Sequence, residues 1–193
     1  SVEGRCPALF EYKCRAVAGR RPFSFAGGGR HWVVPNRTSV HGPLADADTV
    51  DAILTFRNVH NWMGSDYSPK FFTDAYLALK PGGTLGVVEH RLPSSAEQDP
   101  RGSTGYVHED FVKAMAASAG FEFVAASEIN ANPADTADHP FGVWTLPPVS
   151  RSTDREGNSV EGFDADAYLA IGESDRMTLK FVKPAAESLE PVE

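Results

Sequence analysis

The chain has 193 residues, 41% hydrophobic and 23% charged, with a net charge of −8 at neutral pH. That describes one domain of ordinary size with enough apolar residues to build a core. The acidic excess leaves nothing to neutralise phosphates, which excludes nucleic acid as the main partner, and no apolar run approaches the roughly 18 residues of a membrane span.

Residues 1–50 read as a segment packed on the sheet that follows. A short amphipathic helix is expected over 7–18, ended by Gly19, and a short strand over 32–34, stopped by Pro35. Cys6 and Cys14 are too few for a disulfide framework and lack the partners of a zinc site, so they read as reduced thiols in a cytoplasmic protein. Arg15, Arg20 and Arg21 read as a solvated face.

From Asp51 the pattern sharpens. Residues 52–56 form a buried strand. Ser68 is expected to cap a helix with Pro69 in its first turn, where the missing N–H costs nothing. Phe71, Phe72, Ala75, Tyr76 and Leu79 recur at helical spacing, and Pro81, Gly82 and Gly83 end that helix. Residues 84–89 follow as a strand apolar on both faces, as expected with parallel neighbours. A polar linker leads to a second helix with apolar positions Val107, Phe111, Met115 and Ala119, acidic residues in its first turn, and Gly120 as its stop.

Residues 121–129 alternate as a strand covered on one face. Residues 131–172 are a long excursion rich in Pro, Gly, Asp and Ser, with a short helix near 164–170. Residues 176–182 alternate cleanly, with Met177, Leu179 and Phe181 on one side. The domain is thus expected over 51–184, with an acidic tail over 185–193. The class is α/β: a mostly parallel, Rossmann-like sheet with an antiparallel C-terminal edge strand.

The link Leu79, Lys80, Pro81, Gly82, Gly83 resembles the helix-to-strand turn of class I S-adenosylmethionine (SAM) dependent methyltransferases. More specific runs over 54–63 (LTFRNVHNWM), 86–91 (GVVEHR), 105–107, 127–133 (SEINANP), 137–140, 142–148 (GVWTLPP) and 168–177 (YLAIGESDRM) resemble a bacterial group of small-molecule methyltransferases within that family. The resemblance covers about residues 51–184. It implies a Rossmann-like sheet, SAM as cofactor and a small-molecule substrate. It also implies that Phe56, Arg57 and Asn58 line the cofactor side, and His60, Glu89, His90 and Arg91 the acceptor side.

The family's glycine-rich SAM loop follows its first strand and opens a helix. Here Gly27, Gly28 and Gly29 are followed by strand-like, proline-stopped residues instead, so the fold reads as shortened, with activity weak or lost. A βαβ unit needs about 30 residues, so the stretch before Asp51 is too short for the family's usual first half.

Read from the residues themselves, His60, Glu89, His90 and Arg91 are the catalytic candidates, because ligands in open α/β sheets bind beyond the strand tips and imidazole titrates near neutrality. The bland alternative is that Glu89 and Arg91 form a structural ion pair. Asn61, Tyr106, Asn130, Asn132, His139 and Trp144 are substrate-side candidates, with the excursion as lid or structural cover. Glu173, Ser174, Asp175 and Arg176 read as turn residues. No metal is favoured, because Glu89 and His90 are adjacent on a strand and should point to opposite faces.

Two other functions share these residues: a non-catalytic small-ligand module, and a His/Glu hydrolase, metal-assisted or not. No nucleic acid and no membrane are expected as partners. The missing glycine-loop strand would leave an edge of 52–56 open. A replacement strand from residues 23–34 is the expected cover, with an edge-to-edge homodimer as the alternative.

Overall fold

A computed structural model describes residues 42–185. The elements expected before residue 42, with the cysteines, the glycine cluster and the replacement strand, lie outside the described residues, as does the tail beyond 185. Within the described residues, the elements in chain order are β1 (Val50–Phe56), α1 (Val59–Gly64), α2 (Ser68–Ala78), β2 (Leu79–His90), α3 (Glu109–Ala119), β3 (Glu122–Ser127), a 3-10 turn (Gly142–Thr145), α4 (Ala165–Ile171) and β4 (Arg176–Val182).

The four strands form one open sheet in the order β1-β2-β4-β3. β1 and β2 are parallel, and β4 is antiparallel to both β2 and β3. This is a mixed α/β sheet of the expected Rossmann-like class, with one strand of four reversed. Two details differ from expectation. The reversed strand lies inside the sheet and β3 takes the edge, so β2 has a parallel neighbour on one side and an antiparallel one on the other. Strand order is written in long-range pairing, and no local pattern in 176–182 distinguishes an inner from an outer place.

The expected helix stop is instead the start of a strand. α2 ends at Ala78, Leu79 is already extended (φ −70°, ψ 139°), and residues 80–83 bulge where pairing jumps from Val50 opposite Leu79 to Ala52 opposite Thr84. Gly82 sits at φ 80°, a conformation side chains resist, and its N–H donates to the Lys183 carbonyl at 2.8 Å. Ser68 is not the cap of α2. That place belongs to Tyr67, whose carbonyl accepts from the Phe71 N–H at 3.0 Å, while Ser68 Oγ is buried with no hydrogen-bond partner among the described residues.

One face of the sheet carries the core. Leu85 and Val87 of β2 stand with Met177, Leu179 and Phe181 of β4 against Phe71, Phe72 and Ala75 of α2 and Val112 and Ala116 of α3. The buried stripe of α3 therefore centres on Val112 and Ala116. Phe111, Met115 and Ala119 flank it, and Val107 precedes the helix. On the other side of β1, Leu54 and Phe56 are 44% and 55% exposed, so 52–56 is not the buried strand expected. β3 is exposed along its whole length rather than covered on one face, because it is an edge strand.

α1, six residues long, was not anticipated. α4 was, and Asp164 caps it by accepting from the N–H groups of Asp166 and Ala167, both at 3.1 Å. Asp164→Ala is expected to cost about 1 kcal/mol, with Asp164→Asn near neutral, in chemical unfolding. Equal stability of the alanine variant would show that this cap holds nothing. Among the described residues, no helix is long and apolar enough to cross a membrane.

Candidate active site

β1 and β2 run parallel and end side by side at Phe56 and His90. Arg57 extends the ladder by one bond, its N–H donating to the Val88 carbonyl at 2.8 Å, and then turns the chain at φ 56°. Asn58 follows as the N-cap of α1. Its side chain bonds Thr55 Oγ1 at 3.3 Å and stays out of the cleft described below. The turn sets His60 in the first turn of α1, beyond the strand tips and directly above Glu89.

The Glu89 carboxylate is fully buried. It accepts three N–H donors: His60 Nδ1 at 3.0 Å, the His60 backbone at 3.2 Å and the His90 backbone at 2.9 Å. A carboxylate only accepts, so His60 carries its proton on Nδ1, and Nε2 is left as an acceptor, 3.0 Å from Asn61 Nδ2. His60 and Asn61 both face the cleft. Glu89 does not, and acts through His60.

The His90 ring lies 5.6 Å from the ring of His60, and its Nδ1 is hydrogen-bonded to Ser174 Oγ at 2.6 Å. Burial first, and then electrostatic interactions with His60, Arg57 and Arg176, push its pKa down to about 3, so the ring is neutral at physiological pH. Glu89 and His90 thus approach the same partner. α1 sits past the end of the strand, where His60 is reached from both faces of the sheet.

Among the described residues, His60, Glu89 and His90 bring ligating atoms within 4.8 Å of one another. The donor chemistry argues against an ion there. Both Glu89 oxygens already accept N–H donors, and His60 Nδ1 is one of those donors. The trio is a hydrogen-bonded network, and no metal-dependent step follows from it.

The far wall of the cleft is the excursion. Val143 N–H donates to the Thr104 carbonyl at 2.8 Å, and Trp144 stands edge-on to His60 with ring centres 5.9 Å apart. Gly142, at φ 59°, packs so tightly that a Cβ there would lie 2.2 Å from the Thr104 carbonyl oxygen. His139 lines the cleft and is held from behind by Asp135 at 2.8 Å. Asp135 also accepts from the Tyr106 hydroxyl and the Asp175 N–H, which ties the excursion to the start of β4. The cleft is open to solvent on one side and measures about 720 Å³.

Several expected site residues stand elsewhere. Tyr106 is fully buried behind the wall, its hydroxyl pKa pushed up by burial and by Asp135, and it does not reach the cleft. Asn130 bonds Thr178 at 2.8 Å, and Asn132 bonds the Ile171 and Glu173 carbonyls, so both are turn braces. Arg91 leaves the site altogether. It forks onto Asp175 at 2.8 and 2.9 Å and onto Glu128 at 2.7 and 3.1 Å, with Glu109 at 3.8 Å, a structural hub. Phe56, Arg57, His60, Asn61, His90, His139 and Trp144 do meet in the cleft. Ser174 joins them although its sequence reads as a turn, and Arg151 and Arg155 had no sequence signal beyond charge.

No protein-family model and no curated protein matches the chain. Among solved structures it is similar to the [4+2]-cyclase SpnF, with 16% identity and a TM-score of 0.44 over 73% of this chain and 52% of that one. It is also similar to a SAM-dependent methyltransferase from Methanosarcina mazei, with 11% identity and a TM-score of 0.43 over 74% of this chain and 63% of that one. The chain therefore spans about half to three fifths of those structures.

Proposed function

We propose that this chain is a methyltransferase-like protein that binds a small molecule in the cleft at the β1 and β2 tips, with His60 as the proton acceptor and methyl transfer weak or lost. The observation that carries the reading is the His60–Glu89 pair: Glu89 holds the Nδ1 proton, so Nε2 is the basic atom on the cleft side. An O–H or N–H of a bound acceptor would give its proton to Nε2, and Glu89 would stabilise the resulting imidazolium.

SAM is the donor that this type of sheet implies, and it would supply the transferable methyl group. The described residues do not fit it. β1 stands at the edge of the sheet with no strand on its outer side among them, so the strand that a glycine loop would follow, and the loop itself, are not among the described residues. No step is therefore routed through the donor.

Two measurements test this. Calorimetric titration with S-adenosylhomocysteine is expected to show no binding in the micromolar range; a micromolar Kd would overturn the loss of the donor site. Long-range ¹H–¹⁵N spectra of the histidines are expected to show His60 as the Nδ1–H tautomer, and an Nε2–H tautomer would remove the base. A hydrolase is the second reading, favoured by the buried pair of Ser174 Oγ and His90 Nδ1. Labelling of Ser174 by a fluorophosphonate would support it; an unlabelled Ser174 leaves the first reading.

A further inference from the structure

Four arginines line the cleft, Arg57, Arg151, Arg155 and Arg176, and no aspartate or glutamate does, in a chain whose net charge is −8. Arg176 is answered by Glu173. The side chains of Arg57, Arg151 and Arg155 have no hydrogen bond or ion pair among the described residues. The other described arginines are bonded: Arg91 to its carboxylates and Arg101 to the Gly64 carbonyl at 2.9 Å. Among the described residues, the guanidinium groups without a hydrogen bond or close ion pair thus gather at this cleft, with Glu173 acting on Arg57 from a distance.

Arg151 lies over the Trp144 ring at 5.5 Å, which places a cation beside an apolar wall that also includes Phe141 and Pro148. Arg57, set by the turn at the tip of β1, lines the same cleft. Guanidinium presents a planar fork of donors that matches carboxylate and phosphate oxygens. A cleft of about 720 Å³ has the size of a small-molecule site.

We propose that the cleft selects a small molecule bearing an oxyanion, a carboxylate or a phosphate monoester, on a flat apolar body, with Arg57, Arg151 and Arg155 taking the anion and Trp144 the body. This deepens the function proposed above by naming the class of its ligand. It does not depend on a methyl donor.

The test uses four probes with one ring: benzoate, phenyl phosphate, neutral benzamide and cationic benzamidine. Binding is read from the Trp144 indole N–H resonance, assigned by its loss in Trp144→Phe. At low salt at least one anion is expected to bind about tenfold or more tightly than benzamide, with benzamidine weakest. The preferred anion identifies the headgroup, and inorganic phosphate should compete only if that headgroup is phosphate. Arg57→Gln and Arg151→Gln are each expected to weaken the anion several-fold, and both sites are exposed enough to leave folding intact. Equal binding of benzamide, preference for benzamidine, silence from all four probes, or anion binding that survives Arg57→Gln/Arg151→Gln/Arg155→Gln would each overturn the proposal. These readouts are independent of S-adenosylhomocysteine, so a failed donor titration and a failed anion site are told apart.

Discussion

Acidification from about pH 6.5 downward is expected to destabilise the protein through His90, well before its carboxylates are protonated. In the folded chain its pKa is pushed down to about 3, first by burial and then by electrostatic interactions with His60, Arg57 and Arg176. In the unfolded chain it returns to about 6.5. Between those values the unfolded state binds a proton that the folded state refuses. Stability is therefore complete above the unfolded value and is lost as pH falls toward the folded one, with a slope approaching about 1.4 kcal/mol per pH unit. The carboxylates of Asp175, Glu128 and Glu173 are held below their ordinary range by Arg91 and Arg176, and their contribution is lost only below about pH 4. Urea unfolding of the wild type and of His90→Gln between about pH 4.5 and 6.5 thus reads the part of the slope that belongs to His90. His90→Gln should flatten the profile there by close to one proton; a variant with the wild-type slope would show that His90 is protonated as readily folded as unfolded.

Glu89→Ala is expected to lower the free energy of unfolding by about 3–5 kcal/mol. The carboxylate is fully buried and is the common acceptor for three N–H groups from two segments of chain, α1 and the end of β2. Truncation strands all three donors in a space too enclosed for bulk water. Glu89→Gln keeps the volume and one acceptor oxygen but turns an NH₂ toward donors, so it should cost less, about 1–3 kcal/mol. Against a typical stability of about 5–15 kcal/mol, the alanine variant stands near the limit of folding. Denaturant midpoints of the two variants give the comparison. A cost under about 1 kcal/mol for Glu89→Ala would mean that the three donors find other partners.

How much of this was legible in the sequence depended on the range of the interaction. The alternation of Met177, Leu179 and Phe181 placed the bounds of β4 residue for residue, and the short helix expected near 164–170 lies one residue from α4, because each signal is local. α1 went unread: six residues hold too few turns for a period, and Asn58 at its cap was the one available sign. Pro81, Gly82 and Gly83 looked like a helix stop and proved to be a bulge, since the same residues serve both and only pairing with Val50 and Lys183 decides between them.

Of the candidate residues read from positions after strands or in the excursion, His60, His90, Asn61 and Trp144 line the one cleft. Arg91 was misplaced because its carboxylate partners lie as far as 84 residues along the chain. Ser174 was overlooked for the same reason: its partner, His90, is equally remote.

The place of β4 between β2 and β3 also sets an order of events while the chain is being made. β1 and β2 can pair as soon as residue 90 is available, but β2 and β3 never touch, and β3 has no partner until β4 is present. Until residue 182 leaves the ribosome, β2 and β3 both offer unsatisfied edges, and the Ser174 and Asp175 braces of the cleft do not yet exist. Over that interval, some 55 residues after the end of β3 and several seconds at ordinary elongation rates, the nascent chain is a substrate for chaperones and for β-aggregation. The last strand is the latch that ends that exposure.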